Sequence, residues 1–156
     1  MQKSKGKPVI VAPREGRKMI VLGIDVTLKL SSTDTGGNLY IFETVTPPGA
    51  RVPPHVHQHE DEIIQIIDGE LEIFLDGKTQ TATPGAIVNF PRFIPHGFAN
   101  TGNRPVRALF TVVPGENFEK FFEELSALPV DRPPDMAKVT EIFNRYDIEI
   151  LAPPPA

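Results

Sequence analysis

The sequence of 156 residues contains no cysteine. Disulfide bonds, thiolate metal ligands and a cysteine nucleophile are therefore excluded. No apolar run approaches the ~20 residues of a membrane-spanning helix, and the N-terminus lacks the apolar core of a secretory signal. From these absences we expect a cytoplasmic protein.

Positive charge is also sparse beyond the N-terminus. The formal net charge is −4, and Lys and Arg are concentrated only in residues 1–18. Because nucleic-acid binding needs a basic face that neutralises phosphates, we expect no such partner. A phosphate-cradling Gly loop and a G-x-S-x-G elbow are missing as well.

Proline is abundant and falls between the apolar runs. The chain has 17 prolines. Period-two alternation predicts a strand over residues 24–30, and Asp68-Gly69 and Asp76-Gly77 separate three strand-like runs as hairpin turns do. Eight or more short strands, spaced by turns about every ten residues, predict one all-β domain, either a sandwich or a barrel.

The pattern becomes helical after residue 114. Four apolar residues recur at the spacing of one helix face: Phe118, Phe121, Phe122 and Leu125. Asp135 is placed to cap a second short helix. We therefore divide the chain into an N-terminal arm (1–18), a β-barrel (19–114) and a C-terminal helical extension (115–156) packed on the barrel. The tail from Ile148 to Pro155 is predicted to be extended.

Histidine is rare but concentrated near residue 56. Of the four histidines, His55 and His57 lie two residues apart, which places both on one face of a strand. Neutral imidazole is the commonest protein ligand for first-row metals. Glu62 lies five residues after His57, and this odd spacing would place it on the opposite face of a straight strand. Residues 58–61 must therefore turn or bulge if Glu62 is to join the two histidines. Alone, an H-x-H pair is weak, and Glu62 is then best interpreted as exposed, because burying an unpaired carboxylate is costly.

The neighbouring residues have plainer interpretations. We predict that His59, Glu60 and Asp61 are solvated, with His59 the best spare ligand. Asn100 is predicted to be a structural hydrogen-bonding residue. Tyr40 suits the core and a functional role equally well. Six phenylalanines are predicted to lie mostly in the core, with one or two lining a cavity: Phe42, Phe74, Phe90, Phe93, Phe98 and Phe110.

Two stretches resemble the motifs of the cupin superfamily. The first motif, G-x5-H-x-H-x4-E-x6-G, is matched at every position by Gly49, His55, His57, Glu62 and Gly69. The second, G-x5-P-x-G-x2-H-x3-N, is matched by Gly85, Pro91, His96 and Asn100. Phe93 stands where the family usually has glycine, which adds bulk near His96. The resemblance covers residues 49–100 and extends more loosely to small, single-domain, quercetin-dioxygenase-like cupins.

The resemblance implies a double-stranded β-helix (jelly-roll) barrel in which His55, His57, Glu62 and His96 hold one divalent transition metal ion. Fe, Mn, Ni, Co, Cu or Zn suits such ligands. It also implies a dioxygenase that brings O2 to a flavonol- or enol/diketone-like small molecule. Glu62 would be either a permanent ligand or the catalytic base. Cupin relatives usually pair, so a homodimer is expected.

Two other functions are compatible with the same scaffold, because fold does not decide the reaction. One is a metal-assisted isomerase, hydrolase or decarboxylase of a small polar molecule, which Lys, Arg or Asn in the pocket would favour. The other is a non-catalytic cupin that binds a small molecule.

Overall fold

The structure is a computed structural model, and it describes residues 5–151. Residues 1–4 of the predicted arm and 152–155 of the predicted extended tail lie outside the described residues. The elements are β1 (Arg17–Val21), β2 (Ile24–Leu30), β3 (Tyr40–Thr46), β4 (Arg51–His57), β5 (Asp61–Asp68), β6 (Leu71–Leu75), β7 (Lys78–Ala82), β8 (Ile87–Phe90), β9 (His96–Ala99), β10 (Val106–Val113), α1 (Glu116–Ser126), α2 (Met136–Arg145) and β11 (Ile148–Ile150).

The strands form two antiparallel sheets. One has the order β1-β2-β3-β10-β5-β8, and the other has the order β11-β4-β9-β6-β7. Alternate residues of both sheets are buried in one hydrophobic core, as the period of two predicts; in β3 these are Tyr40, Phe42, Thr44 and Thr46. The predicted all-β jelly-roll barrel with short C-terminal helices is confirmed.

The two Asp-Gly turns differ in what they connect. Asp76-Gly77 joins β6 to β7 in a hairpin, as predicted. Asp68-Gly69 instead carries the chain from one sheet to the other, because β5 pairs with β8 and β10 while β6 pairs with β7 and β9. The prediction of a hairpin at Asp68-Gly69 is therefore wrong. Gly69 has a φ of 86°, and a Cβ there would lie 3.0 Å from the Pro105 carbonyl oxygen, so the crossing needs glycine.

Both predicted helices are present. The Asp135 side chain caps α2 by accepting hydrogen bonds from the backbone N–H groups of Ala137 and Lys138. Helix α1 buries Phe118, Phe121, Phe122 and Leu125 and contacts β1 and β3. Helix α2 packs on α1 and β11. The first strand begins at Arg17, two residues before the boundary drawn from the sequence.

Neither helix in residues 5–151 combines the length and the apolar character that crossing a membrane would require.

Candidate metal centre

Three strands bring four polar side chains into the barrel interior. His55 and His57 project from β4 with 5% and 1% of their surface exposed, and His55 lies opposite His96 in the β4–β9 pairing. The chain turns at Gln58 and His59, as the opposite parity of Glu62 requires, and returns in the other sheet as β5. Glu62 therefore faces the histidines across the barrel and is only 6% exposed. Glu62 thus lies buried beside the histidines, as the family resemblance implies, and the exposed alternative considered for the H-x-H pair alone does not hold.

The donor atoms of these residues converge. The Nε2 atoms of His55 and His57 lie 3.1 Å apart, and Glu62 Oε2 lies 3.0 Å from His96 Nε2 and 3.8 Å from His57 Nε2. One donor atom from each of the four residues lies within 4.8 Å of the others. Neighbouring ligands bound at right angles about 2.1 Å from one ion are separated by roughly 3 Å, so these separations fit a shared metal ion.

The opposite ring nitrogens show why the Nε2 atoms are available as ligands. The Nδ1–H groups of His55 and His96 donate to the carbonyl oxygens of Pro53 and Ile94, at 2.8 and 3.0 Å. The Nδ1 of His57 donates to Glu60 Oε2 at 3.2 Å. In the neutral rings all three Nε2 atoms then carry lone pairs, and these meet a carboxylate. Four buried lone-pair donors facing one another repel unless a cation lies between them, and such Nδ1 partners are typical of metal-bound histidines.

The protonation of the cluster also suits a cation. Burial, reinforced by repulsion from His96 and His57, lowers the pKa of His55 to about 3, so this ring stays neutral. Burial alone would raise the pKa of Glu62, but positive charge at His57 and His96 outweighs it and lowers that pKa to about 2. A bound metal ion would supply this positive charge when the rings are neutral. A neutral imidazole and an ionised carboxylate are the forms that bind metal. The buried group of three histidines and one glutamate could therefore hold a metal ion.

Comparison with known proteins agrees with this site and fold. A family model described as "Cupin domain" matches residues 42–112, which include all four donors. The chain belongs to the cupin superfamily. Among curated proteins it is similar to "Polyketide synthase CurC" of Streptomyces cyaneus, with 26% identity over 111 residues covering 70% of this chain and 72% of that protein.

Two further similarities concern a dioxygenase and a solved structure. The cupin chain is 29% identical over 108 residues to "Quercetin 2,3-dioxygenase" of Bacillus subtilis, covering 67% of this chain but 31% of that protein. The crystal structure of a predicted oxalate decarboxylase from Thermotoga maritima has a TM-score of 0.62 and 23% identity, covering 68% of this chain and 99% of that one. Cupin relatives of this kind are often enzymes that bind small molecules, and the structural likeness concerns the fold.

Glu60 is a buried partner of the candidate centre that the sequence analysis missed. It is 2% exposed, and its carboxylate accepts the hydrogen bond from His57. The prediction that it is solvated is therefore wrong. Its position three residues after His57, next to the turn, is the signal that could have revealed it. Burying the Glu60 carboxylate is costly unless it is hydrogen-bonded, and the hydrogen bond orients the His57 ring toward the centre.

The remaining predicted residues lie around the centre and outside it. His59 is exposed and pairs with Asp147 at 2.9 Å, so it does not join the donors. Asp61 is partly exposed, as predicted, and hydrogen bonds from Arg92 lower its pKa. Asn100 is confirmed as a structural residue, since its Nδ2 donates to the carbonyl oxygens of Thr46 and Arg104.

The departure at Phe93 leaves the donors unaffected. Phe93 has a φ of 68°, the left-handed conformation that glycine adopts readily, and its N–H donates to the His57 carbonyl oxygen at 2.8 Å. The side chain is 60% exposed. Phe93 is therefore an exception among the six phenylalanines that were predicted to lie mostly in the core. The ring that stacks on His96 belongs to Phe90, with centroids 4.2 Å apart.

A cavity of about 50 Å³ adjoins the donors and includes His55, His57 and Glu62 in its lining. The other described lining residues are apolar except Thr44. Three of the six phenylalanines named from the sequence line it, where one or two were predicted: Phe42, Phe98 and Phe110. The sequence analysis did not foresee that the helices close the same cavity with Phe118, Phe121, Phe122 and Phe143, which we call the aromatic wall. Helical spacing predicted a buried face on α1 but could not show what that face covers.

Proposed function

We propose that this cupin is a metal-dependent dioxygenase that oxidises an enol or 1,3-dicarbonyl compound with O2. One observation carries the proposal: the buried donor set of three histidines and one glutamate opens onto a cavity with almost entirely apolar walls. Similarity to a quercetin dioxygenase supports the reaction class. Similarity to a polyketide synthase protein supports the substrate class, because polyketide chains carry carbonyl groups on alternate carbons.

The residues have separate roles in this proposal. His55, His57, His96 and Glu62 would hold the ion, which when bound supplies Lewis acidity and open coordination positions for substrate and O2. Glu62 is the one carboxylate among the described lining residues, so it is placed to take the proton from the enol as a general base. The aromatic wall excludes bulk water and orients the apolar part of the substrate.

The cavity separates this proposal from the alternatives. Its described lining residues include no Lys, Arg or Asn, so a small polar or anionic substrate would find no partner beyond the donors and Thr44. The apolar lining favours an enol or dicarbonyl compound whose oxygens reach the donors while its carbon chain contacts the apolar side chains.

The homodimer belongs to the same proposal. Val9 and Ile10 are 52% and 95% exposed in the segment before β1. Association with a second copy would remove these apolar side chains from water, which favours a dimer. Light scattering on the purified full-length protein tests it: a mass of one chain would contradict the dimer.

The dioxygenase is tested by O2 consumption. Metal-stripped protein is loaded in turn with Fe, Mn, Ni, Co and Cu, and O2 uptake is measured with acetylacetone, 2,4-nonanedione and quercetin. We expect at least one metal form to consume O2 with a dione and to place both atoms of ¹⁸O2 in the products. Glu62→Gln should abolish turnover, whereas the matched exposed variant Glu70→Gln should retain it. If every form binds metal and none consumes O2 with any of the three compounds, the proposal fails.

A further inference from the structure

Thr44 carries a buried hydroxyl that the fold itself leaves without a partner. The residue is 2% exposed, and its Oγ1 has no hydrogen-bond partner among the described residues. Its cross-strand neighbours are Val26 and Ala108, which offer no side-chain acceptor or donor. A buried hydroxyl is normally satisfied, because leaving it unpaired is destabilising. A valine of the same shape would fit this apolar position better. The presence of the hydroxyl therefore indicates a ligand that hydrogen-bonds to it.

The position of Thr44 relative to the metal centre follows from the strand register. Thr44 lies opposite Ala108, and Ala108 lies opposite Ile66 in β5. Glu62 precedes Ile66 by four residues on the same inward face, which corresponds to about 13 Å along the strand at ~3.3 Å per residue. Both Glu62 and Thr44 line the one cavity. The donor cluster and the Thr44 hydroxyl therefore lie at different levels of a cavity whose other described lining residues are apolar.

We infer that Thr44 is a specificity-determining residue that hydrogen-bonds a second polar group of the substrate, at the far end of an unbranched carbon chain. The inference rests on the proposed function, because the metal centre binds the enol or dicarbonyl end of the same molecule. The substrate class is therefore a linear dicarbonyl compound with an oxygen several carbons away from the metal-binding oxygens. The apolar side chains between Glu62 and Thr44 contact the intervening chain.

Tyr40 provides a matched control within the same strand. Its hydroxyl is also buried and without a partner among the described residues. Unlike Thr44, Tyr40 is not among the described residues that line the cavity, and its ring lies against Phe42, Phe118 and Phe122. Removing either hydroxyl removes an unpaired buried group, but only the loss at Thr44 should alter ligand recognition.

The test compares two probes on the full-length, cobalt-loaded protein. The probes are 2,4-nonanedione and 9-hydroxy-2,4-nonanedione, which differ only in the terminal hydroxyl. Their affinities are measured anaerobically from the visible absorption bands of the bound cobalt ion, with metal content verified for each variant. The variants are Thr44→Val, Thr44→Ser and Tyr40→Phe, and the melting temperature of each is recorded.

We expect the wild type to bind the hydroxylated dione roughly two- to tenfold more tightly than the parent dione, the range of one net hydrogen bond. Thr44→Val should lose this preference while melting at a higher temperature, because it removes an unpaired hydroxyl. Thr44→Ser and Tyr40→Phe should keep the preference. Equal binding of the two diones by the wild type, or a preference that survives in Thr44→Val, overturns the inference alone. If the wild type binds neither dione, the proposed function fails with it.

Discussion

The two sides of the cavity are built on different principles. On one side, strands of both sheets carry the donors, and each histidine is held by a hydrogen bond from its Nδ1. On the other, the aromatic wall lies on helices attached to the barrel largely by apolar packing and by partly exposed polar contacts such as Arg17–Glu123 and Ser32–Glu119. The donor side is rigid because every ring is anchored twice, in the backbone and at Nδ1. The wall is adjustable because packing tolerates substitution more readily than ligand geometry does. The candidate ligands and the aromatic wall that covers them therefore depend on different parts of the chain.

The largest expected effect tests whether the wall can be weakened without disturbing the donors. Phe122 is 8% exposed, and its ring contacts are with Tyr40, Phe42, Phe118 and Phe121. Phe122→Ala should lower the free energy of unfolding by about 3–5 kcal/mol, since it removes a buried ring and leaves a cavity. Metal affinity of the folded protein should stay unchanged. Urea denaturation and metal titration measure the two quantities.

The matched control for this prediction is Phe93→Ala. Because the Phe93 side chain is 60% exposed, its removal should change the stability by no more than about 0.5 kcal/mol. A similar loss in both variants would show that the aromatic wall has no special part in stability.

The next largest effect is expected when a candidate ligand on the donor side is removed. His57→Ala should weaken binding of Co or Zn by more than about 100-fold, because a lost ligand should exceed the 10–100-fold effect of losing an outer partner. His59→Ala changes a histidine two residues away that is exposed and bound to Asp147, so its affinity should match the wild type. Competition with a chromophoric chelator gives both constants. Equal losses in the two variants would mean that the ion is bound elsewhere.

A smaller effect is expected for the buried partner of His57. Glu60→Gln keeps the shape and removes the charge that holds the His57 ring, so metal affinity should fall about 10- to 100-fold. Asp61→Asn alters the adjacent carboxylate, which binds Arg92 and not a histidine, and should change affinity no more than about twofold. If Glu60→Gln binds metal as tightly as the wild type, Glu60 does not position the ligand.

The smallest expected effect is the pH dependence of the stability of the metal-free protein. The folded pKa of His55 is about 3 and its usual value is 6.5, so between these values the unfolded chain binds the proton and the folded protein does not. Stability contributed by neutral His55 is thus present above about pH 6.5 and is lost as the pH falls, by up to about 1.4 kcal/mol per pH unit. Glu62, with its pKa lowered from 4.5 to about 2, adds a loss of the same sign below pH 4.5.

Urea denaturation between pH 7.5 and 4.5 tests this dependence. A metal-free protein whose stability is flat across that range would contradict a buried, neutral His55. The variant His59→Ala should show the same pH slope as the wild type, because His59 is half exposed.

The same division explains how much could be predicted from the sequence. Period-two alternation, proline punctuation and helical spacing are local signals, and they placed β2 and α1 closely. The candidate metal-binding set was also predictable, because the spacing from His55 to Glu62 and from Pro91 to His96 matches two family motifs. Residue parity alone predicted the turn before Glu62.

What could not be predicted depends on pairing across the barrel. Asp68-Gly69 looks like a hairpin turn, but the partners of β5 lie in β8 and β10, far along the chain. Glu60 looks like any loop carboxylate until its burial against His57 is known. Thr44 lines the cavity, and the α1 phenylalanines cover it, only because distant elements pack together. No local sequence pattern indicates such packing.

The order of these parts along the chain has a consequence for how the protein acquires its ion. All four candidate ligands precede residue 100, whereas the helix that covers them begins at Glu116. Because chains emerge from the ribosome N-terminus first, the ligands leave the exit tunnel while the mouth of the barrel is still uncovered. We therefore expect the metal content of the purified protein to follow the metal supplied during expression more closely than metal added after folding.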